Sequence, residues 1–203
     1  MAPVRAGLNR RPPVAGAILA GGGSIRFGTE KSMAPTPSGP LAQVASDALR
    51  SAGLDPIVLI GGSSELSAAL AVPSIPDRLP GEGPLAGLGT ALAWAAGVAR
   101  IVVVPCDMPL ISAEVIRKLV AAGDNSIAAI ASIDGSPHPI VGCWPTQRAN
   151  TINSLLRSGS RRMMDALDAG PYELVEVDAR ETADADDPAE LRRLIESAGE
   201  DLQ

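Results

Sequence analysis

The chain has 203 residues, 46% of them apolar but only 2% aromatic, and a formal net charge of −6. The length fits one sizeable domain, and Ala, Val, Leu and Ile must fill its interior, which suits parallel strands covered by helices. The acid excess, offset by no basic stripe, excludes a protein that coats nucleic acid.

Residues 1–12 read as a disordered tail ahead of a single domain over 13–203. Arg5, Arg10 and Arg11 precede an apolar run from Val14 to Ala20, which mimics a signal peptide. The run has only seven residues, includes Gly16 and leads at once into the segment richest in chemistry, so export is not expected. Cys106 and Cys143 have no C-x-x-C spacing, which argues against zinc or dithiol redox chemistry. They read as inert buried thiols in a reducing compartment, and the expected location is the cytoplasm.

From Ala15 the signals alternate between strand and helix. Ala15 to Ala20 is a strand, and Pro40 to Ala52 a helix with Leu41, Val44, Ala45, Ala48 and Leu49 on one face. Pro56 to Ile60 is a strand, Ser64 to Ala71 a helix capped by Ser63 or Ser64, and Val72 to Ile75 a brief strand. Leu79 to Gly87 reads as a turn-rich loop, followed by a helix to Gly97. Arg100 to Val104, rich in β-branched residues, is a central strand, and Ser112 caps the helix after it. Ser126 to Ile133 and Ile140 to Trp144 flank an Asp134-Gly135 turn, which predicts one antiparallel strand in an otherwise parallel sheet. Helices at Gln147 to Arg157 and Arg161 to Ala169, a strand at Glu173 to Val177 and a helix at Pro188 to Ser197 complete one three-layer αβα domain with a mostly parallel, mixed sheet.

The chemistry starts at Ala17 to Lys31, A-I-L-A-G-G-G-S-I-R-F-G-T-E-K. An apolar run that stops at three glycines reads as a buried strand ending in a loop with no side chains to block close approach. Backbone N–H groups there can face a phosphate, and Arg26 and Lys31 can neutralise it. A nucleotide site then lies at the C-terminal end of the first strand, where open α/β sheets hold ligands. Asp107, just past the strand Ile101 to Val104, either holds a hard cation such as Mg²⁺ at that edge or caps the following helix. Asp77 ends another short strand and reads as a turn residue or as a contact to base or ribose. The G-P-L-A-G segment at Gly83 to Gly87 either lets backbone approach a ligand or makes a tight turn. Asp184 and Asp186, at i and i+2, point to one side, where they either complete a metal site or, through Asp186 or Asp187, cap the last helix. His138, the single histidine, lies between two prolines and reads as a loop residue rather than a general base. Arg161 and Arg162 form a basic pair at a helix start, either solvated or in contact with phosphate.

Together these pieces resemble the nucleotidyltransferases of the glycosyltransferase-A-like, Rossmann-like fold, and among them the molybdenum cofactor guanylyltransferase (MobA) family. The matching motifs are L-A-G-G at Leu19 to Gly22, Arg26-Phe27-Gly28, Lys31, Asp77 with the later G-P-L-A-G, P-C-D-M-P at Pro105 to Pro109, H-P-I-V-G-C-W at His138 to Trp144, G-S-R-R-M-M at Gly159 to Met164, and x-x-P-x-E-L at Asp186 to Leu191. The resemblance implies a Mg²⁺-dependent transferase of molybdenum cofactor biosynthesis. The terminal phosphate of Mo-molybdopterin would attack the α-phosphate of GTP, and pyrophosphate would leave. It implies Arg26, Lys31 and Asp107 as catalytic residues. Leu19, Ala20, Gly21, Gly22, Lys31, Asp77, Gly83, Pro84, Leu85 and Asp107 would surround the nucleotide. Asp107 would bind Mg²⁺, with Asp184 and Asp186 as further candidate ligands, and His138 and Arg161 would face the pterin. The implied partners are GTP and Mo-molybdopterin, with transient contact with molybdenum-insertion and molybdoenzyme-maturation proteins, and neither nucleic acid nor membrane.

Three departures keep alternatives open. Gly61-Gly62 stands where the family usually has an asparagine, the segment after Lys31 is proline-rich, and Asp184 and Asp186 replace the usual asparagines. Paired aspartates there resemble the sister cytidylyltransferases, so CTP is the alternative nucleotide. A sugar phosphate or phospholactate is an alternative acceptor. A non-catalytic nucleotide-binding module is the reading from another class.

Overall fold

The computed structural model describes residues 13–21 and 30–200. The tail expected over 1–12 lies outside the described residues, as do Gly22 and Arg26.

The first strand, β1 (Val14–Leu19), is apolar on both faces, and helices cover both. Val14 and Ile18 join one core while Ala15 and Ala17 join the other, as the two-residue period of a strand dictates. A 3-10 turn (Lys31–Met33) and a small ribbon, β2 (Pro35–Thr36) and β3 (Gly39–Pro40), lead into α1 (Leu41–Ser51). Next come β4 (Ile57–Ile60), α2 (Ser64–Leu70) and β5 (Ser74–Ile75). The Ser63 hydroxyl accepts the Leu66 N–H at 3.1 Å, the capping role expected of it.

The chain then crosses to the other face in α3 (Pro84–Trp94) and returns in β6 (Arg100–Pro105). After α4 (Ala113–Ala122) it makes the hairpin β7 (Ala128–Ile133) and β8 (Ser136–Pro145). It closes with α5 (Ala149–Arg157), α6 (Met163–Asp168), β9 (Tyr172–Glu176) and α7 (Pro188–Glu200).

Among the described residues the main sheet runs β5-β4-β1-β6-β8-β7-β9, and only β8 is antiparallel to its neighbours. This is the mixed, mostly parallel αβα sandwich the sequence predicts. Helices α1, α2 and α4 pack on one face through Leu49, Leu66 and Ile116, and α3, α5 and α6 on the other through Leu88, Ile152 and Leu167. The chain winds outward from β1 through β4 and β5, then restarts at β6 on the opposite side of β1. The β1–β6 boundary is thus the switch point, where an open α/β sheet leaves a crevice. No helix among the described residues is long and apolar enough to cross a membrane.

The 3-10 turn and the β2–β3 ribbon are not predicted, and two further differences from the sequence reading bear on the site. Helix α3 starts at Pro84, inside the expected loop, because proline presets the first helical φ and the preceding Gly83 takes a φ of +86°. The turn-like Gly87 is a packing device within the helix: a Cβ there would meet Leu19 Cδ2 at 3.1 Å. His138 lies in β8 rather than in a loop. The prolines beside it are tolerated because β6 pairs only with Gly142 to Pro145 of β8, so the chain around His138 has no ladder to complete on that side.

Candidate active site

Strand register assembles the site. Leu19 pairs with Ile60 on one side and Pro105 on the other, and Ile60 pairs with Ile75. Four strands therefore end at one level, and Ala20-Gly21, Gly61-Gly62, Asp77 and Cys106-Asp107 leave the same edge. The Ala20 N–H donates to the Ile60 carbonyl at 2.9 Å and the Cys106 N–H to the Leu19 carbonyl at 3.1 Å. A cavity of about 270 Å³ opens there, lined by Leu19, Ala20, Gly21, Lys31, Asp77, Gly83, Pro84 and Asp107 among others. These include most of the residues expected around a nucleotide. Among the described residues Leu85 is the exception: it belongs to α3 and is fully buried in the core.

At one end of the cavity charge concentrates. The Lys31 ammonium donates to Asp107 Oδ2 at 2.7 Å and to Asp186 Oδ1 at 3.1 Å. Burial by itself would lower the Lys31 pKa, but the hydrogen bonds and charges of Asp107 and then Asp186 outweigh it and hold the ammonium above its ordinary value. Oxygens of Asp107, Asp184 and Asp186 lie within 4.8 Å of one another. The closing segment reaches this point because Leu191 and Ala185 pack against Ala34 and Leu41, and the Ala185 N–H donates to the Asp107 carbonyl at 3.0 Å. Helix capping falls to Asp187, whose Oδ1 accepts the Ala189 and Glu190 N–H groups at 2.8 and 2.9 Å. Asp184 and Asp186 face the cluster. Three hard carboxylates already gathered about an ammonium form a donor set that fits Mg²⁺.

At the other end the walls are backbone. Gly61 adopts a φ of +75°, and a Cβ on it would meet Gly21 Cα at 3.1 Å and Gly21 N at 3.2 Å. Only glycine lets these two loops approach so closely. Asp77 turns its Oδ2 towards Gly21, while its Oδ1 accepts from the Thr90 hydroxyl at 2.8 Å and the Leu79 N–H at 3.2 Å. The Arg78 N–H donates to that same hydroxyl at 3.2 Å.

Sequence reading missed two supporting residues. Thr90, 3% exposed, fixes one Asp77 oxygen from within α3; a hydroxyl on an otherwise apolar helix face is the signal that could have found it. Glu30 accepts from the Ser32 hydroxyl at 2.9 Å and the Ser63 N–H at 3.1 Å, tying the segment that carries Lys31 to the start of α2. Glu30 has no comparable signal.

His138 and Arg161 are not brought together. His138 is half-buried, and its buried Nε2 has no hydrogen-bond partner among the described residues. Burial pushes its pKa down, and the charges of Asp184 and Asp107 pull the other way. Arg161 instead pairs with Glu82 and lines a separate cavity beside α3. Of the two thiols expected to be buried, Cys143 is, while Cys106 is half-buried and lines the cavity; burial, with the neighbouring Asp107 charge, pushes Cys106 up to about 12, and burial pushes Cys143 up to about 11.

The MobA-like NTP transferase domain matches this chain over residues 16–171. The chain belongs to the MobA-like NTP transferase family. Two curated relatives extend the match. The molybdenum cofactor guanylyltransferase of Rhizobium johnstonii is 32% identical over 154 residues, covering 73% of this chain and 71% of its own. The probable molybdenum cofactor guanylyltransferase of Mycobacterium bovis is 30% identical over 184 residues, covering 88% of this chain and 92% of its own. In three dimensions, molybdopterin-guanine dinucleotide biosynthesis protein A from Archaeoglobus fulgidus superposes with a TM-score of 0.73 at 22% identity, covering 92% of this chain and all of the other. That likeness bears on the fold.

Proposed function

We propose that this MobA-like transferase is a Mg²⁺-dependent guanylyltransferase that moves GMP from GTP to the terminal phosphate of Mo-molybdopterin. An acceptor phosphate oxygen forms a bond to the α-phosphorus as the bond from that phosphorus to the bridging oxygen breaks, and pyrophosphate leaves with the electron pair. The observation that carries this reading is the convergence of Lys31, Asp107, Asp184 and Asp186 at one end of a cavity whose other end is glycine backbone and Asp77.

The chemistry asks for little beyond this. A phosphate nucleophile is already anionic at neutral pH, so no general base is needed, which suits a chain with a single histidine. The obstacle is repulsion between two anions, so the work is charge neutralisation and alignment. Lys31, and Arg26 by family resemblance, would stabilise charge on the α-phosphate and leaving group. Asp107, with Asp184 and Asp186, would hold Mg²⁺, which supplies further neutralisation of the triphosphate. Leu19, Ala20 and Gly21 would meet the nucleotide through backbone groups, and Asp77 through Oδ2. His138, beside the acidic cluster, would face the pterin side. Arg161 lines the second cavity, and its place on the pterin side rests on the family resemblance.

Paired aspartates at 184 and 186 favour CTP as the second reading. Purified protein with molybdopterin, Mg²⁺ and each nucleoside triphosphate in turn separates the two by pyrophosphate release. Release with GTP is expected, and release with CTP alone would reject GTP as the donor.

A further inference from the structure

A second cavity, of about 470 Å³ against 270 Å³ for the first, lies between α3 and α5, behind residues 78–83. The proposed reaction makes no use of it. Its floor is apolar, with Ala86 and Leu156, and Gly89 keeps α3 close to α5: a Cβ there would meet Leu156 Cδ1 at 2.8 Å. Its lining carries Arg78, Arg157 and Arg161 and no carboxylate.

Three arginines line this one cavity in a chain of net charge −6. Little of that charge is answered. Among the described residues Arg78's guanidinium has no hydrogen-bond or ion-pair partner, and Arg157 bonds only the neutral Ser154 hydroxyl, at 2.9 Å. Arg161 alone has an acidic partner, Glu82, and its Nη1 also donates to the Leu156 and Ser160 carbonyls at 3.1 and 2.7 Å. Like charges gathered over an apolar floor repel one another, and an anion relieves that repulsion. The planar fork of arginine matches the oxygens of a phosphate.

We propose that this cavity is a second binding site, separate from the nucleotide cavity, for a phosphate-bearing anion held by Arg78, Arg157 and Arg161. Inorganic and organic phosphates share that chemistry, and the apolar floor leaves room for the body of an organic one. The site also touches the first cavity's machinery, since Thr90 lines it while donating to Asp77.

The test is calorimetric titration of the full chain without divalent metal, in a Lys31→Ala background that weakens anion binding at the first cavity. One arm uses inorganic pyrophosphate and the other GMP. Binding is expected, weakened about tenfold or more when Arg78→Gln and Arg157→Gln are added. Both side chains are exposed, so the melting temperature should not move. Tighter binding of GMP than of pyrophosphate, lost with the arginines, would identify an organic phosphate; equal affinities would identify the phosphate group alone as what is read. Absence of heat in both arms, or binding indifferent to the two arginines, overturns the proposal. Turnover is not measured, so either result leaves the guanylyltransferase reading untouched.

Discussion

At the Lys31 end of the main cavity, four charged side chains from three distant segments meet; at the Gly21 end, backbone atoms of two glycine loops pass at van der Waals distance. The first arrangement is electrostatic and partly exposed, with Lys31 16% and Asp107 23% accessible. Solvent screens it, so its contribution to stability is small and its value lies in meeting an anion. The second is steric. An added Cβ on Gly61 would press on Gly21 backbone at 3.1 Å in a strained φ, which couples the shape of the cavity to the stability of the sheet edge. Substitutions should therefore separate the two ends: chemistry without stability at one, both together at the other.

The largest effect is expected from Asp107→Ala, which should lower pyrophosphate release by about a thousandfold or more while leaving the melting temperature near that of the parent. Near-normal turnover in that variant would remove Asp107 from the metal assignment. Lys31→Ala should cost about a hundredfold in kcat, again with the fold intact. Gly61→Ala tests the opposite end. Its Cβ meets Gly21 backbone and its φ is +75°, so it should lose about 1–3 kcal/mol of stability in chemical denaturation and raise the nucleotide KM. If it left both unchanged, the two loops would not be the close-fitting wall described above. Thr90→Val removes the shorter of the two hydrogen bonds to Asp77 Oδ1, leaving that from the Leu79 N–H, without emptying the core. A several-fold rise in nucleotide KM with little change in kcat is expected, restored by Thr90→Ser; a matched fall in melting temperature and kcat would mark Thr90 as structural only.

The smallest effect belongs to a control outside both ends. Glu176 accepts from the Ser132 hydroxyl at 2.7 Å and the Asp134 N–H at 2.7 Å, and these bonds hold its carboxyl below the ordinary value of 4.5. A carboxyl lowered on folding stabilises above its unfolded pKa, and that contribution is lost as pH falls through the folded one. Glu176→Gln should flatten the melting-temperature profile below pH 4.5 and leave turnover unchanged.

Much of the fold was legible. Alternating apolar runs and helical faces gave the order of elements, and the single antiparallel strand followed from the Asp134-Gly135 turn between two apolar runs. Helix α3 was misplaced because Gly83 and Gly87 carry the same local signal in a turn and in a tightly packed helix, and only Leu19 above Gly87 distinguishes them. His138 was misplaced for a related reason: flanking prolines forbid ladder bonds, but β8 has none to make with β6 at that point. Asp107 was readable as a strand-end carboxylate. That Asp184 and Asp186 join it, while Asp187 caps α7, depends on how the last helix packs.

By itself the sequence determined the local grammar of this protein: which runs are buried, where the chain turns, and that a glycine loop, a lysine and several carboxylates stand at element ends. Those properties follow from side-chain hydrophobicity and backbone sterics within a few residues. Tertiary structure alone decided that four strands stop at a common level, that Lys31 meets Asp107 and Asp186, and that Arg161 pairs with Glu82. Such pairings depend on strand register and helix packing across more than 70 residues, as the 76-residue separation of Lys31 and Asp107 shows, and no local preference encodes them.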